Sequence, residues 1–424
     1  MRLYSTLSRR LEELPPPPGP IGVYYCGPTV YQRIHVGNAY AVSIFPLWLK
    51  GWLELSGYDT TLVVNITDIN DKIYDAAPGR SAQLAEDATR WYLEDTDDLG
   101  LGRPDHEPKA TENIPEIVAL IEELIECDLA YAVDGDVYFR VARFSGYGRL
   151  SGQKPDEVQE QEPNPLKEDP RDFALWKANK PGEDTWWESP WGRGRPGWHI
   201  ECSAMAEKYL GPSFEIHGGG LDLVFPHHED EVAQSRGAGR EFARIWIHNG
   251  MLHFGGEEMH KSVGNIVSLR DALDRWGRET VLVFFLTGHW RKPLDFTDET
   301  LTAAEARAER LREVFRNPSE PAGEGEWERF AAALDDDFNT AEALAVMHSW
   351  HDHDLLRRAL DVFGLASLAD ETEAPGEIRA LAERREAARA GRDFGEADRL
   401  RDEIAAAGWE VRDAPGGFRL VRLR

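Results

Sequence analysis

The strongest constraint on this chain's fold lies between Ile21 and Val64, where an apolar run, a long helical segment and a β-branched run follow one another. Ile21 to Tyr25 reads as a short buried strand, broken by Cys26-Gly27-Pro28. Gly37 to Ser56 is long, apolar and rich in Leu and Trp, and it stops before Gly57 as a helix does. Pro46 lies inside it, where a proline costs about 3 kcal/mol unless the helix kinks, so a bend or two helical pieces are expected. Thr61 to Val64 reads as the next strand. Strand, helix, strand in this order implies a right-handed crossover and a parallel sheet.

Further along, an amphipathic helix is expected through Ile114, Ile117, Ile121 and Leu124 to about Glu126, then a hairpin turning at Asp134-Gly135. Ser151 to Pro170 is polar and proline-bearing, the composition of a surface loop. Strand-like runs return at Phe214 to His217 and Ile245 to Ile247. Beyond Asp298 the spacing is helical up to Ala407, with linkers at Pro318–Glu326 and Asp370–Gly376. A chain of 424 residues divides into two to four units. No apolar run reaches the length of a membrane span, and three cysteines are too few for a disulfide framework, so a reduced, cytoplasmic protein is expected. The net charge of −28 argues against a general nucleic-acid footprint, but the segment from Arg379 carries eleven arginines against nine acids.

Four groups of residues suggest chemistry. Cys202, His227 and Glu231, the last two spaced i and i+4, offer a thiolate, an imidazole and a carboxylate suited to zinc, and Cys26 would complete four ligands. His35-Val36-Gly37-Asn38 opens the long helix, where free amides favour phosphate. Gly218-Gly219-Gly220 with Asp222 reads as a turn after a strand, open to a nucleotide. The fourth is a polar loop, Glu258-Met259-His260-Lys261-Ser262. Taken singly, each also suits a packed cysteine, a solvated helix face or an ordinary turn.

In their order these pieces, with Asn65-Ile66-Thr67-Asp68, Gly194 to Met205 and Leu334 to Thr340, resemble the cysteinyl-tRNA synthetases of class I from about Leu3 to Arg412. The resemblance implies a Rossmann-like α/β catalytic domain with a parallel sheet over 1–125 and 196–245, split by a connective insertion at 126–195. It further implies a stem-contact region with the signature loop at 246–300, a helical bundle at 301–370 and a small anticodon-binding-like region at 371–424. Zinc, one per chain, is implied on Cys26, Cys202, His227 and Glu231, where it takes the substrate thiol, with Thr67 and Trp198 shaping the cysteine pocket. ATP with Mg²⁺ is expected on His35, Gly37, Asn38, Gly218, Gly219, Gly220, Asp222 and Lys261, with His35, Asn38 and Lys261 catalytic. The partners implied are ATP, L-cysteine and tRNA(Cys), with no membrane and a monomeric chain.

Departures from the family pattern fall on the phosphate side and at the end. Asn38 stands where the first signature has a histidine, and Glu258 and His260 alter the second. The usual C-terminal aromatic is replaced by Leu420, with Phe418 two residues earlier. Two other readings use the same residues: a cysteine-activating ligase acting on a small amine, as in mycothiol-type synthesis, and a non-catalytic paralogue that binds cysteine or tRNA.

Overall fold

The computed structural model describes residues 1–154, 163–258, 266–370, 374–414 and 417–422. In chain order, β1 (Arg2–Ser5) and β2 (Arg10–Glu13) form a hairpin, and β3 (Pro20–Tyr25) and β4 (Asp59–Val64) begin a central sheet. β5 (Ala130–Val133), β6 (Asp136–Phe139), β7 (Phe173–Ala178) and β8 (Gly194–Pro196) build a second, antiparallel sheet, and β9 (Ser213–Gly220) and β10 (Phe242–Asn249) return to the first. The central order is β10-β9-β3-β4, all parallel. Successive crossovers therefore leave β3 in opposite directions, which opens a crevice at the carboxyl ends of β3 and β9, where open α/β sheets hold their ligands.

The expected break at Pro46 takes a definite form. Val36–Ala39 is α-helical, Tyr40–Ile44 makes a wider π-type turn, and Phe45–Leu55 resumes the helix. Pro46 thus sits in the first turn of the second piece, where its missing N–H is harmless. The wide turn buries Tyr40, which stacks on Phe285 at 4.2 Å and 3°. Phe45 and Trp48 continue the same core with Trp290 and Phe363. One face of the helix thereby ties the sheet to the helices that follow residue 277.

The second sheet has its own core, in which Ile117, Ile121 and Leu124 of the helix Ile114–Glu126 meet Val137, Phe139, Leu175 and Trp176. Its hairpin turns with positive φ at both Asp134 and Gly135, as the Asp-Gly pair predicts. Of the polar segment 151–170, residues 155–162 lie outside the described residues.

The chain divides into Met1–Leu368 and Ala369–Arg424. The second unit is two helices, Gly376–Ala390 and Phe394–Ala406, and a hairpin of Trp409–Ala414 with Gly417–Arg422 around Ile378, Ala382, Ile404, Trp409 and Val411. The helical spacing ended at Ala407 and gave no reading of this hairpin, although Trp409 and Val411, and Phe418 and Leu420, lie at strand period. Phe418 and Leu420 both pack against that small core. Among the described residues no helix is long and apolar enough to cross a membrane.

His348 caps the helix Thr340–Met347, and burial with Arg310 and Arg307 lowers its pKa from 6.5 to about 4. The unfolded chain therefore takes up this proton before the folded one does, and folding weakens as pH falls from about 6.5 towards 4. The urea midpoint is expected to drop between pH 7 and pH 5, and to drop less in His348→Gln.

Candidate active site and metal centre

The crevice is built from the loops that leave three parallel strands. Cys26 follows β3 directly, and its amide donates to the Gly218 carbonyl of β9 at 3.1 Å. The loops after β3 and β4 are laced together: Val30 N–H donates to Thr67 O, and Thr67 N–H to Pro28 O, each at 3.1 Å. Asn65 holds this junction, its Oδ1 accepting from the Gly27 amide at 2.9 Å and its Nδ2 donating to Thr67 Oγ1 at 3.2 Å. Gly27 is required here, since a Cβ would overlap the Asn65 carbonyl oxygen.

Cys26, Cys202, His227 and Glu231 present ligand atoms that all lie within 4.8 Å of one another, and all four residues are buried. Cys202 comes from the helix Trp198–Leu210 and Glu231 from the helix Glu229–Gly237. His227 does not share a regular helix with Glu231, as the i, i+4 spacing suggests. It lies in the turn Val224–His228, which contains Phe225 in extended backbone, yet its Nε2 still stands 3.3 Å from Glu231 Oε1.

The donor set fits a cation. The His227 Nε2 is buried without a hydrogen-bond partner, while its Nδ1 faces His199 Nδ1 at 2.8 Å. Burial, then neighbouring Cys202 and Glu231, push the Cys26 thiol well up, and burial pushes Cys202 up too. Such thiols become thiolates only against a cation, and two thiolates, one imidazole and one carboxylate are ligands that zinc takes.

Around this set stands a group of histidines that spacing did not reveal. His217 donates or accepts at Nε2 with Glu231 Oε2 at 2.8 Å and stacks on Trp246 at 4.3 Å. His228 Nδ1 meets His248 Nε2 at 2.7 Å, and His248 Nδ1 meets Thr6 Oγ1 at 2.8 Å. Burial holds His199 and His248 down to about 3, so both stay neutral at neutral pH. Cys26, His217, His228 and Glu231 form a second close group that shares two members with the first. The signal available in the sequence was a polar ring inside otherwise apolar strands, at His217 and His248.

Trp198 lies against His227, ring centroids 4.2 Å apart, and Thr67 is fully buried beside Asn65. Next to them is a cavity of about 250 Å³ whose walls include Ile69, Asn70, Trp198, His199 and Glu201.

At the start of the long helix, His35 caps it, its Nδ1 accepting from the Asn38 amide at 3.2 Å. His35 and Asn38 line a cavity of about 200 Å³ with Thr29, Tyr31 and Tyr92. Gly218, Gly219 and Gly220 are not a turn after the strand but the last three residues of β9, paired to Ile247, His248 and Asn249. A Cβ at Gly218 would overlap the Tyr25 ring, and one at Gly219 would come within 2.9 Å of His228 and Leu223. Asp222 follows, exposed, in the short turn Leu221–Leu223. Lys261 and His260 lie outside the described residues, beyond the short strand Glu257–Glu258.

Residues 15–306 match the family described as the class I (C) tRNA synthetase catalytic domain. The chain belongs to the class I cysteinyl-tRNA synthetases. Residues 329–359 match a DALR domain, and 371–419 a cysteinyl-tRNA ligase anticodon-binding domain. The chain is 43% identical to the cysteine–tRNA ligase of Geobacillus thermodenitrificans over 100% of its length and 99% of the relative's. It is 44% identical to that of Halorhodospira halophila over the whole of both chains. The solved Mycobacterium tuberculosis methionyl-tRNA synthetase, in complex with methionyl-adenylate, shares the fold, with a TM-score of 0.59 at 16% identity over 82% of this chain and 88% of that one.

The overlap at Gly27 makes that position a direct test of the junction beneath the ligand set. Gly27→Ala is expected to cost about 1–3 kcal/mol in urea unfolding and to weaken metal retention on dialysis, because Cys26 moves with it.

Proposed function

We propose that the chain is a zinc-dependent cysteine–tRNA ligase, which joins L-cysteine to the α-phosphate of ATP and passes the cysteinyl group to the 3′ end of tRNA(Cys). The observation that carries this reading is the buried set of two thiols, an imidazole and a carboxylate with Trp198 laid against His227. Full-length identity to cysteine–tRNA ligases and the match of 371–419 to an anticodon-binding domain support it.

Cys26, Cys202, His227 and Glu231 would hold one zinc per chain. Zinc, when bound, supplies a soft centre that favours a substrate thiolate over the alkoxide of serine. Thr67 and Trp198 orient the amino acid beside it. The adenylation step needs no protein nucleophile. The cysteine carboxylate attacks the α-phosphorus, pyrophosphate leaves, and the chain contributes position and charge. His35 and Asn38 hold the triphosphate with the amide of Gly37. Gly218, Gly219, Gly220 and Asp222 cradle the adenosine, Lys261 meets the developing negative charge, and Mg²⁺ accompanies ATP. In this reading 1–125 and 196–245 form the split catalytic domain, 126–195 is the insertion, 246–300 contacts the tRNA stem, 301–370 is the helical bundle and 371–424 reads the anticodon.

Cysteine-dependent exchange of labelled pyrophosphate into ATP, with serine as control, tests the first step, and charging of tRNA tests the second. Preference for cysteine is expected to exceed the roughly 10–200-fold that an apolar pocket supplies. Exchange without charging would instead mark a ligase acting on a small amine, and no exchange from folded, zinc-loaded protein would leave a binding paralogue. The purified chain is expected to hold one zinc by elemental analysis, and Cys202→Ala and His227→Ala to lose it.

A further inference from the structure

Glu201 has no role in the site so far described. It precedes Cys202 on the helix Trp198–Leu210 and is fully buried; only the Thr67 hydroxyl comes near enough to act on its carboxylate as a donor, and among the described residues neither oxygen makes a well-formed hydrogen bond. An unpaired buried carboxylate costs several kcal/mol, and a fold tolerates one most readily where a cation arrives later. Among the described residues no cation contacts it, and Arg195 acts on it only through space. Arg195, on the wall of the same cavity, is engaged by Asp71 and by Glu183. Lys177, on that wall too, is held 2.9 Å from Asp71.

The position of Glu201 says which cation could arrive. It lies on the wall of the 250 Å³ cavity beside Trp198, and the Trp198 ring lies tilted against His227 of the ligand set. Thr67 and Asp68 are its polar neighbours from the loop after β4. Glu201 is the neighbour of Cys202 in the chain, and Trp198, which lies against His227, shares the cavity wall with it, so a small ligand with its sulfur at the ligand set would turn its remaining polar groups towards this wall. In an amino acid the cationic one of those groups is the α-ammonium.

We propose that Glu201 is a specificity-determining residue that receives the α-ammonium group of the amino-acid substrate beside Thr67, so that the pocket reads an amine as well as a thiol. This rests on the cysteine-activating reading above and adds a second point of recognition to it.

Two small thiols separate the two points of recognition. Cysteamine carries the thiol and the ammonium, and 3-mercaptopropionate carries the thiol and a carboxylate. Binding of each to the zinc-loaded full chain is measured by calorimetry, and each is tested as a competitor in cysteine-dependent exchange. The wild-type chain is expected to bind cysteamine more tightly. In Glu201→Gln that preference should shrink, and KM for cysteine should rise about 10–100-fold, as for loss of a charged hydrogen bond. KM for ATP and zinc content should stay unchanged, and Glu201→Asp should restore part of the effect. A wild-type chain that binds both thiols equally would overturn the proposal without recourse to any variant. So would a Glu201→Gln protein that keeps the preference, or one that loses both thiols and zinc together, which is the mark of a structural role. Because calorimetry needs no turnover, a chain that shows the thiol preference but no exchange would retire the enzymatic reading and leave the assignment of Glu201 standing.

Discussion

The parallel pairing of β3 with β9 is the constraint from which the site follows. It sets Val23 beside Ile216 and Tyr25 beside Gly218, so that Cys26 leaves the sheet next to the glycines some 190 residues later in the chain. The connection after β3 runs to β4 on one side and that after β9 to β10 on the other, and the crevice between them is where backbone amides and loop side chains can converge without filling the space themselves. The glycines answer to the same constraint. They are strand residues whose missing side chains leave room for the rings of Tyr25 and His228.

Beneath that crevice the chain buries more ionisable groups than an ordinary core tolerates. Glu201, Glu229, Asp230, Glu231 and four histidines are all buried within the two helices and two strands that frame the site, or next to them. Several of these groups satisfy one another. Tyr147 donates to Asp230 at 2.5 Å, and the amides of Gly148 and Ser151 donate to Glu229 at 2.8 Å, fastening residues 147–151 to the helix that carries Glu231. Others keep an atom free, as His227 and Glu201 do. Buried polar atoms without partners are expensive, and their concentration around one crevice is the physical signature of a place prepared for a cation and for a polar ligand.

Much of the framework was legible. The strand at Ile21–Tyr25, the interrupted helix and the strand at Thr61–Val64 follow from local rules of burial, proline geometry and β-branching, and those rules do not depend on distant residues. The Asp-Gly hairpin is local in the same way. The terminal hairpin was missed although Trp409, Val411, Phe418 and Leu420 lie at strand period, because two such short runs by themselves also suit a loop. The glycine run was misplaced because three glycines usually mark a turn, and only Tyr25 and His228 explain why they belong to a strand.

The amino-acid sequence by itself determined the element types around the crevice and, through several spaced motifs together, the family. It also named Cys26, Cys202, His227 and Glu231, whose residue types have few other uses in combination. Tertiary structure alone decided that their ligand atoms converge within 4.8 Å, that His227 reaches Glu231 across a broken turn, and that His199, His217, His228 and His248 gather beside them. The reason is that periodicity reports which face of an element is buried but not which distant element covers it. Convergence of side chains from four separate segments depends on strand register and helix packing, and those are settled only when the whole core closes.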